Sequence, residues 1–224
     1  LDLALGVLAG PDGDEANGYR LDLPAPRVPT IDGLRVLLLD THPSARADAP
    51  TREALHLLAG DLVREGARIE RSSALLPELA GVHRAYVQML MTITTYGAPG
   101  GREVISAHEW FNLVQRRAKV RREWRALFAA FDVVLAPVFG TAAFPLTDEP
   151  VWSKRSLLLD GEPSAFGDQL AWSGMATFAG LPATAAPIAK SPEGLPIGVQ
   201  IIGAFLHDRT TIALARQIEA LRAG

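Results

Sequence analysis

The protein has 224 residues, with 22 Lys or Arg against 25 Asp or Glu, a formal net charge of −3 and a pI near 6.0. Nucleic-acid and anionic-membrane binders usually carry a strong basic surplus, so this balance argues against both partners. The lack of cysteine excludes disulfides and thiolate metal sites and favours a cytoplasmic location. No apolar run approaches the roughly 20 residues that span a bilayer.

The first ten residues predict a helix that ends at Gly10-Pro11, because Leu1, Leu5 and Leu8 recur at helical spacing. This helix is very apolar and no capping residue precedes it. We therefore expect it to continue a helix of a longer protein. Residues 11–32 are rich in Gly, Asp and Pro, which predicts an extended connector.

A strand, a helix and a second strand are predicted next. Residues 34–40 form a short, continuously apolar run, and residues 49–65 are amphipathic up to Gly66. Residues 67–70 predict the second strand. This order with short links is typical of a βαβ unit with a parallel strand pair.

The middle of the chain predicts two long helices, a buried strand and a loop. Residues 75–96 and 108–131 are helical by period, and Gly97–Gly101 separates them as a loop. Residues 132–138 predict a buried strand. Residues 139–164 are irregular, which indicates a long surface loop of the kind that is functional or mobile.

The second long helix carries a basic cluster that has two interpretations. One is a nucleic-acid-binding face, and the other is a solvated face with apolar residues behind it. No aromatic stacking platform accompanies the charges, which favours the solvated face. The basic residues are Arg116, Arg117, Lys119, Arg121, Arg122 and Arg125, and the apolar ones are Phe111, Val114, Trp124, Leu127 and Phe128.

The last third predicts a short helix, a hairpin and a closing helix. Residues 169–179 suit the short helix, and residues 183–188 and 197–203 suit two strands joined by a Pro- and Gly-rich turn, hence antiparallel. Asp208 is a candidate N-cap for a helix over residues 210–221. The predicted fold class is α/β, with one mixed sheet flanked by helices on both faces.

The hairpin carries motifs that resemble a known family. Gly180-Leu181-Pro182-Ala183 leads into a strand of small residues, and residues 194–203 spell G-L-P-x-G-x-Q-x-x-G. An A-x-x-x-E ending follows in the closing helix. This order and spacing resemble the C-terminal signature of the amidase-signature family, and the strands at residues 33–36 and 132–137 resemble others of its strands. The resemblance implies that residues 1–224 are the C-terminal part of a single amidase domain.

The resemblance also implies a chemistry. Similar enzymes hydrolyse carboxamides with a nucleophilic Ser, a second Ser joined by a cis peptide, and a Lys, all of which lie before the segment corresponding to Leu1. Ser72-Ser73 lacks the flanking glycines of that motif, and Lys119, Lys154 and Lys190 do not match it. We therefore expect the catalytic residues to lie upstream of this chain and the chain to be inactive alone. No metal or cofactor is implied, and the five histidines have no metal-like spacing.

The resemblance suggests four substrate-binding residues for a small-molecule amide. Phe139 follows the strand that ends in Pro137, and Trp172 and Met175 precede Gly-Leu-Pro, where core packing is their alternative role. Thr177 stands where the family often has Asn, which puts any contact of that Asn in doubt.

The missing half should leave apolar surface around Trp172, Phe178 and Ala185, through which we expect self-association. An independent α/β binding or regulatory module that reuses this half of the fold is the alternative to the fragment interpretation.

Overall fold

The computed structural model describes residues 1–27, 29–96 and 105–223. Its regular elements follow the predicted order for most of the chain. The helices are α1 (Asp2–Leu8), α2 (Ala49–Arg64), α3 (Leu79–Thr94), α4 (Ala107–Ala130), α5 (Leu170–Ala179) and α6 (Asp208–Ala223), and the strands are β1 (Arg35–Leu38), β2 (Arg68–Glu70), β3 (Val133–Pro137), β4 (Ser156–Leu159), β5 (Glu162–Ala165), β6 (Ala183–Lys190) and β7 (Pro196–Gly203).

Five strands form a mixed sheet in the order β2-β1-β3-β7-β6. β1 is parallel to both β2 and β3, so the predicted parallel pair across α2 is confirmed. β7 is antiparallel to β3 and to β6, which confirms the predicted hairpin. β6 is the edge strand at one end of the sheet.

Helices cover both faces of this sheet, as the α/β prediction requires. On one face α3, α4 and α5 enclose a core that contains Trp124, Trp172 and Phe178. On the other face α2 and α6 pack Leu58 and Ile218 against the strands. The central strands are buried on both sides, which explains why β3 is apolar at every position.

Local sequence signals fix several helix ends. The side chain of Asp48 accepts a hydrogen bond from the backbone N–H of Thr51 and caps α2. Ser106 and Glu109 form a reciprocal capping box at the start of α4. α5 ends at Gly180, whose φ of 68° lies in the left-handed region that favours glycine.

The loop predicted over residues 139–164 was wrong in its second half. A short 3₁₀ turn at Trp152–Lys154 and the antiparallel hairpin of β4 and β5 occupy that stretch. Asp160 and Gly161 join the strands with positive φ angles of 53° and 80°. Asp-Gly between two strand-forming segments is a strong hairpin signal. The prediction gave more weight to the prolines on either side, which favour a loop.

Smaller differences occur elsewhere. Phe111 and Val114 of α4 are exposed although they were assigned to its apolar face, and Leu113 is buried in their place. A short 3₁₀ helix, Gly13–Asn17, interrupts the connector of residues 11–32. α6 starts at Asp208 itself. The predicted loop Gly97–Gly101 lies outside the described residues.

Candidate functional site

Four aromatic side chains gather just beyond the carboxyl end of β3. Phe139 stacks on Phe144 with 5.6 Å between ring centroids, and Phe166 lies 5.9 Å from each of these two rings. Trp152 meets Phe166 edge-on, also at 5.9 Å. The cluster ties the segment after β3 to the hairpin region that follows it.

An apolar cleft of about 400 Å³ lies beside this cluster. Phe139 and Phe144 form part of its wall, and Ala185, Pro187 and Gly198 of β6 and β7 form another part. The strand residues are small, which leaves the cleft open. A Cβ on Gly198 would lie 3.2 Å from a methyl group of Val138, so this position tolerates little extra volume. Cavities of this size and polarity accommodate small organic groups.

A buried glutamine positions the cleft wall. Gln169 accepts a hydrogen bond from the backbone N–H of Gly140 at 2.8 Å and donates one to the carbonyl of Arg46 at 3.1 Å. A Cβ on Gly140 would collide with the Arg46 carbonyl and the Gln169 amide. Gln169 therefore locks the backbone next to Phe139 against the start of α5. Sequence reasoning missed this role, although a glutamine among apolar helix residues was a usable signal.

The glutamine of the G-x-Q motif has a structural role. Gln200 is buried on β7, and its side-chain amide donates to the carbonyl of Trp172 at 3.1 Å. This bond holds α5 against the sheet. A buried side-chain amide without a hydrogen-bond partner would destabilise the folded state. Gln200 is therefore stable at this position because α5 supplies the carbonyl of Trp172.

The structure brings one of the four predicted substrate-binding residues to the cleft. Phe139 lines it, half-buried. Trp172 and Met175 are fully buried in the core between α3, α4 and the sheet, and neither lines the cleft. Thr177 is exposed on α5 and also lies away from the cleft lining. Its carbonyl accepts the N–H of Gly180 at 3.1 Å.

Burial lowers the pKa of two neighbouring histidines, one of which packs on Trp172. Burial first, and the nearby His83 second, lower the pKa of His42 to about 4. Burial also lowers the pKa of His83, although the charge of Asp168 opposes this shift. The His42 ring packs on Trp172 with centroids 5.6 Å apart. Among residues 1–27, 29–96 and 105–223, no group of three His, Cys, Asp or Glu could hold a metal ion.

The described lining of the cleft is almost entirely apolar. Of the described residues that line it, only Thr51 and Thr141 carry side-chain polar atoms, and none is a Ser, Lys, His, Asp or Glu. Nucleophilic hydrolysis needs an activated nucleophile and a base within hydrogen-bond reach. The cleft by itself can therefore hold an apolar group.

The apolar surface differs from the one expected. Trp172 and Phe178 are buried, so the exposure predicted for that helix was wrong, because α3 and α4 cover it. The outward residues of β6, including Ala185, are exposed as predicted. α1 buries none of its residues and exposes large apolar side chains: Leu3, Val7 and Leu8. Within the described part of the chain, no helix has the length and apolarity needed to cross a membrane.

Comparisons with known proteins give a consistent result. The chain is 31% identical over 178 residues to a glutamyl-tRNA(Gln) amidotransferase subunit from Synechococcus sp. (strain CC9311), covering 76% of this chain and 33% of the relative. It is 31% identical over 185 residues to the corresponding subunit from Sphingopyxis alaskensis, covering 79% of this chain and 34% of the relative. The chain thus spans about a third of the length of these curated relatives.

Solved structures show the same fold. A glutamyl-tRNA(Gln) amidotransferase subunit from Thermotoga maritima superposes with a TM-score of 0.73 at 18% identity, covering 97% of this chain and 49% of that one. A fatty acid amide hydrolase gives 0.67 at 14% identity, covering 92% and 42%. A model of the family described as Amidase matches residues 90–212, which is more than half of the chain. The chain therefore belongs to the amidase family, as the hairpin motifs indicated.

Proposed function

We propose that this chain is the C-terminal part of an amidase that hydrolyses the C–N bond of linear carboxamides. A Ser-cisSer-Lys set outside these 224 residues supplies the catalysis, and the chain alone is inactive. A cytoplasmic location is part of the proposal. The observation that carries it is an apolar cleft whose described lining includes no Ser, Lys, His, Asp or Glu, in a chain that belongs to the amidase family.

In this proposal the cleft binds the apolar acyl side of the amide substrate. Phe139 contacts the acyl chain directly, since its ring lines the cleft and is held by the aromatic cluster. Trp172 and Met175 contribute indirectly by fixing α5, through Gln200 and the core. Thr177 is exposed, so it would contact the substrate only if the rest of the amidase formed a binding surface beside it.

The remainder of the amidase would cover the exposed outward face of β6 and the apolar side of α1. The described residues bury neither surface. A chain without that cover is expected to self-associate there, since exposed contiguous apolar surface favours association. This chain spans only about a third of the length of the curated relatives, which supports the proposal that the amidase has a further part.

The test of inactivity uses the purified 224-residue chain with N-acyl p-nitroanilides of two to eight carbons. We expect no turnover above buffer. Ser72→Ala and Ser73→Ala are the matched variants, because these are adjacent serines in the chain. Turnover that disappears in either variant would contradict the proposal, since the nucleophile would then lie within the chain.

The test of the cleft uses the protein encoded by the whole natural reading frame. Phe139→Ala should raise KM for the eight-carbon substrate about 10-fold, because removing a contact of about 1.4 kcal/mol weakens binding tenfold. The acetyl substrate should change less than about twofold. Phe111→Ala is the control, since Phe111 is exposed on α4 and away from the cleft. Equal effects of Phe139→Ala on both substrates would contradict acyl binding here.

One observation favours a second candidate, an independent α/β binding or regulatory module. Trp172 and Phe178 are enclosed by this chain's own helices, so its main core is complete without a partner. A monomeric, cooperatively unfolding chain with no amidase activity, encoded by a reading frame without an upstream Gly- and Ser-rich segment, would favour the module over the fragment.

A further inference from the structure

A second cavity, of about 610 Å³, lies on the α4 side of the molecule. It shares no lining residue with the apolar cleft. Residues of the C-terminal half of α4, of the segment after β7 and of the connector before β1 surround it. Its polar lining residues are all basic: Arg27, Arg121, Arg122, Arg125 and His207.

Two of these arginines are held in place by the fold. Arg27 donates from Nη1 to the carbonyl of Phe128 at 2.8 Å, and its backbone N–H donates to the Thr210 hydroxyl at 3.1 Å. Arg121 donates from Nε to the carbonyl of Ala179 at 2.8 Å. A guanidinium has five N–H donors, so each of these groups keeps several donors for a ligand.

The other two arginines have no comparable structural role. Arg122 and Arg125 are exposed and make no hydrogen bond or ion pair with another described residue. Capping of helix carbonyls explains Arg27 and Arg121, but it does not explain Arg122 and Arg125. Like charges three or four residues apart repel on a helix, so Arg125 opposes both Arg121 and Arg122.

The acidic groups near the cavity do not neutralise it. None of the eleven described lining residues is acidic. Asp132 is hydrogen-bonded and ion-paired to Arg35, although the charge of Arg27 also helps to lower the pKa of Asp132, and Glu123 faces Lys119 at 3.8 Å. Asp208 lies next to His207, and the Nδ1 atom of His207 is buried without a hydrogen-bond partner among the described residues. The cavity therefore has a surplus of positive charge and unused donors.

The remaining lining is apolar and partly aromatic. Phe128 and Leu181 are buried at the cavity, and the Arg121 guanidinium lies 4.3 Å above the Phe205 ring. Such a stacked cation fixes the guanidinium plane. Guanidinium groups suit phosphate oxygens because they can donate two parallel hydrogen bonds. An apolar wall beside them suits a ligand that carries a ring.

We propose that this cavity is a binding site for a phosphate monoester that carries a flat apolar group. The phosphate dianion lies among the guanidinium groups of Arg121, Arg122 and Arg125, with Arg27 at its edge, and the apolar group packs on Phe205 and Leu181. The site is separate from the amide cleft and does not depend on the amidase proposal.

The test measures phenyl phosphate binding to the purified protein by calorimetry at low and at physiological salt. Phenyl phosphate should bind at least about fivefold more tightly than inorganic phosphate and than benzoate, and all three should weaken as salt screens the arginines. Arg122→Gln combined with Arg125→Gln should weaken phenyl phosphate at least about 10-fold. The control is Arg116→Gln combined with Lys119→Gln, which removes the same charge from the same helix outside this cavity.

Four outcomes would overturn the proposal. Equal weakening in both double variants would show a general charge effect of α4. If benzoate bound as tightly as phenyl phosphate, the site would not be selective for phosphate. If inorganic phosphate did so, the apolar wall would not contribute to binding. Single-stranded RNA that binds more tightly than phenyl phosphate and responds equally to both variants would show a polyanion surface on the helix. All four substituted side chains lie at the surface or half-buried, so folding is checked simply by circular dichroism.

Discussion

Replacing Asp132 by Asn should destabilise the protein markedly, because Asp132 joins the end of α4 to β1. Its Oδ1 accepts from Nη2 of Arg35 at 2.7 Å, and its Oδ2 accepts from Nε at 3.1 Å and from the Arg35 backbone N–H at 3.0 Å. The Asp132 side chain is only 9% exposed, while that of Arg35 is 42% exposed. Asn would keep one acceptor and turn an N–H₂ group towards a guanidinium.

The magnitude follows from these contacts. Hydrogen bonds to charged groups contribute about 1.5–3 kcal/mol to stability. Because Arg35 is partly exposed and solvent screens its charge, we expect a contribution in the lower part of that range. We expect the free energy of unfolding to fall by about 2 kcal/mol. With a urea m-value of roughly 2 kcal/mol per M, the midpoint would fall by roughly 1 M. Urea titration at pH 7 followed by far-UV circular dichroism measures it.

The effect should depend on pH with a definite sign. Burial alone would raise the pKa of Asp132, but the hydrogen bonds and the charge of Arg35 lower that pKa overall. The unfolded chain has the ordinary Asp pKa of about 3.9. The contribution of the ionised carboxylate is therefore present above about pH 4 and is lost as the pH falls towards the folded-state pKa. The difference in stability between the wild-type and Asn proteins should therefore shrink as the pH falls below about 4.

Glu123→Gln is the matched control, because Glu123 faces Lys119 at 3.8 Å on the exposed side of α4. Such surface pairs contribute about 0.3–0.5 kcal/mol. A loss in Asp132→Asn no larger than in Glu123→Gln would refute the reasoning. So would a difference between wild type and Asp132→Asn that stays constant from pH 7 to pH 3.

Two further predictions concern the core and a helix end. Trp172→Ala should lower the free energy of unfolding by about 3–5 kcal/mol, because Trp172 is fully buried. A loss below about 1 kcal/mol in urea titration would contradict its place in the core. Ser106→Ala removes the N-cap of α4 and should lower the free energy of unfolding by about 1 kcal/mol in the same assay. Ser173→Ala on α5 is the control and should lower it less, because the Ser173 hydroxyl donates only to a carbonyl within its own helix at 3.3 Å.

The sequence predicted elements whose signals are local. The period of residues 49–65 gave α2 to within two residues, because Leu55, Leu58 and Leu62 occupy one buried face. The hairpin of β6 and β7 was also predicted, since turn chemistry at residues 190–196 leaves few other conformations. Patterns of this kind depend on neighbours along the chain, which a sequence shows directly.

Tertiary contacts could not be predicted in this way. The bond between Gln169 and the backbone of Gly140 joins residues 29 positions apart and depends on how α5 meets the end of β3. The burial of Trp172 likewise depends on the packing of α3 and α4 over α5. The family resemblance suggested a pocket role for this residue, but resemblance places residues along a chain without giving their exposure.

The small residues of β6 follow from its two different faces. Thr184, Ala186 and Ile188 point towards α2 and α6 and are buried, and the Thr184 hydroxyl hydrogen-bonds that of Thr211 on α6 at 2.8 Å. The alternating residues, such as Ala185 and Pro187, are exposed at the edge of the sheet. Large apolar side chains at those positions would fill the cleft, and charged ones would not tolerate an acyl group. Alanine and proline instead leave a low, apolar floor beside Phe139, as the proposed acyl binding requires. Pro187 also lacks an N–H that could pair with a further strand at this edge.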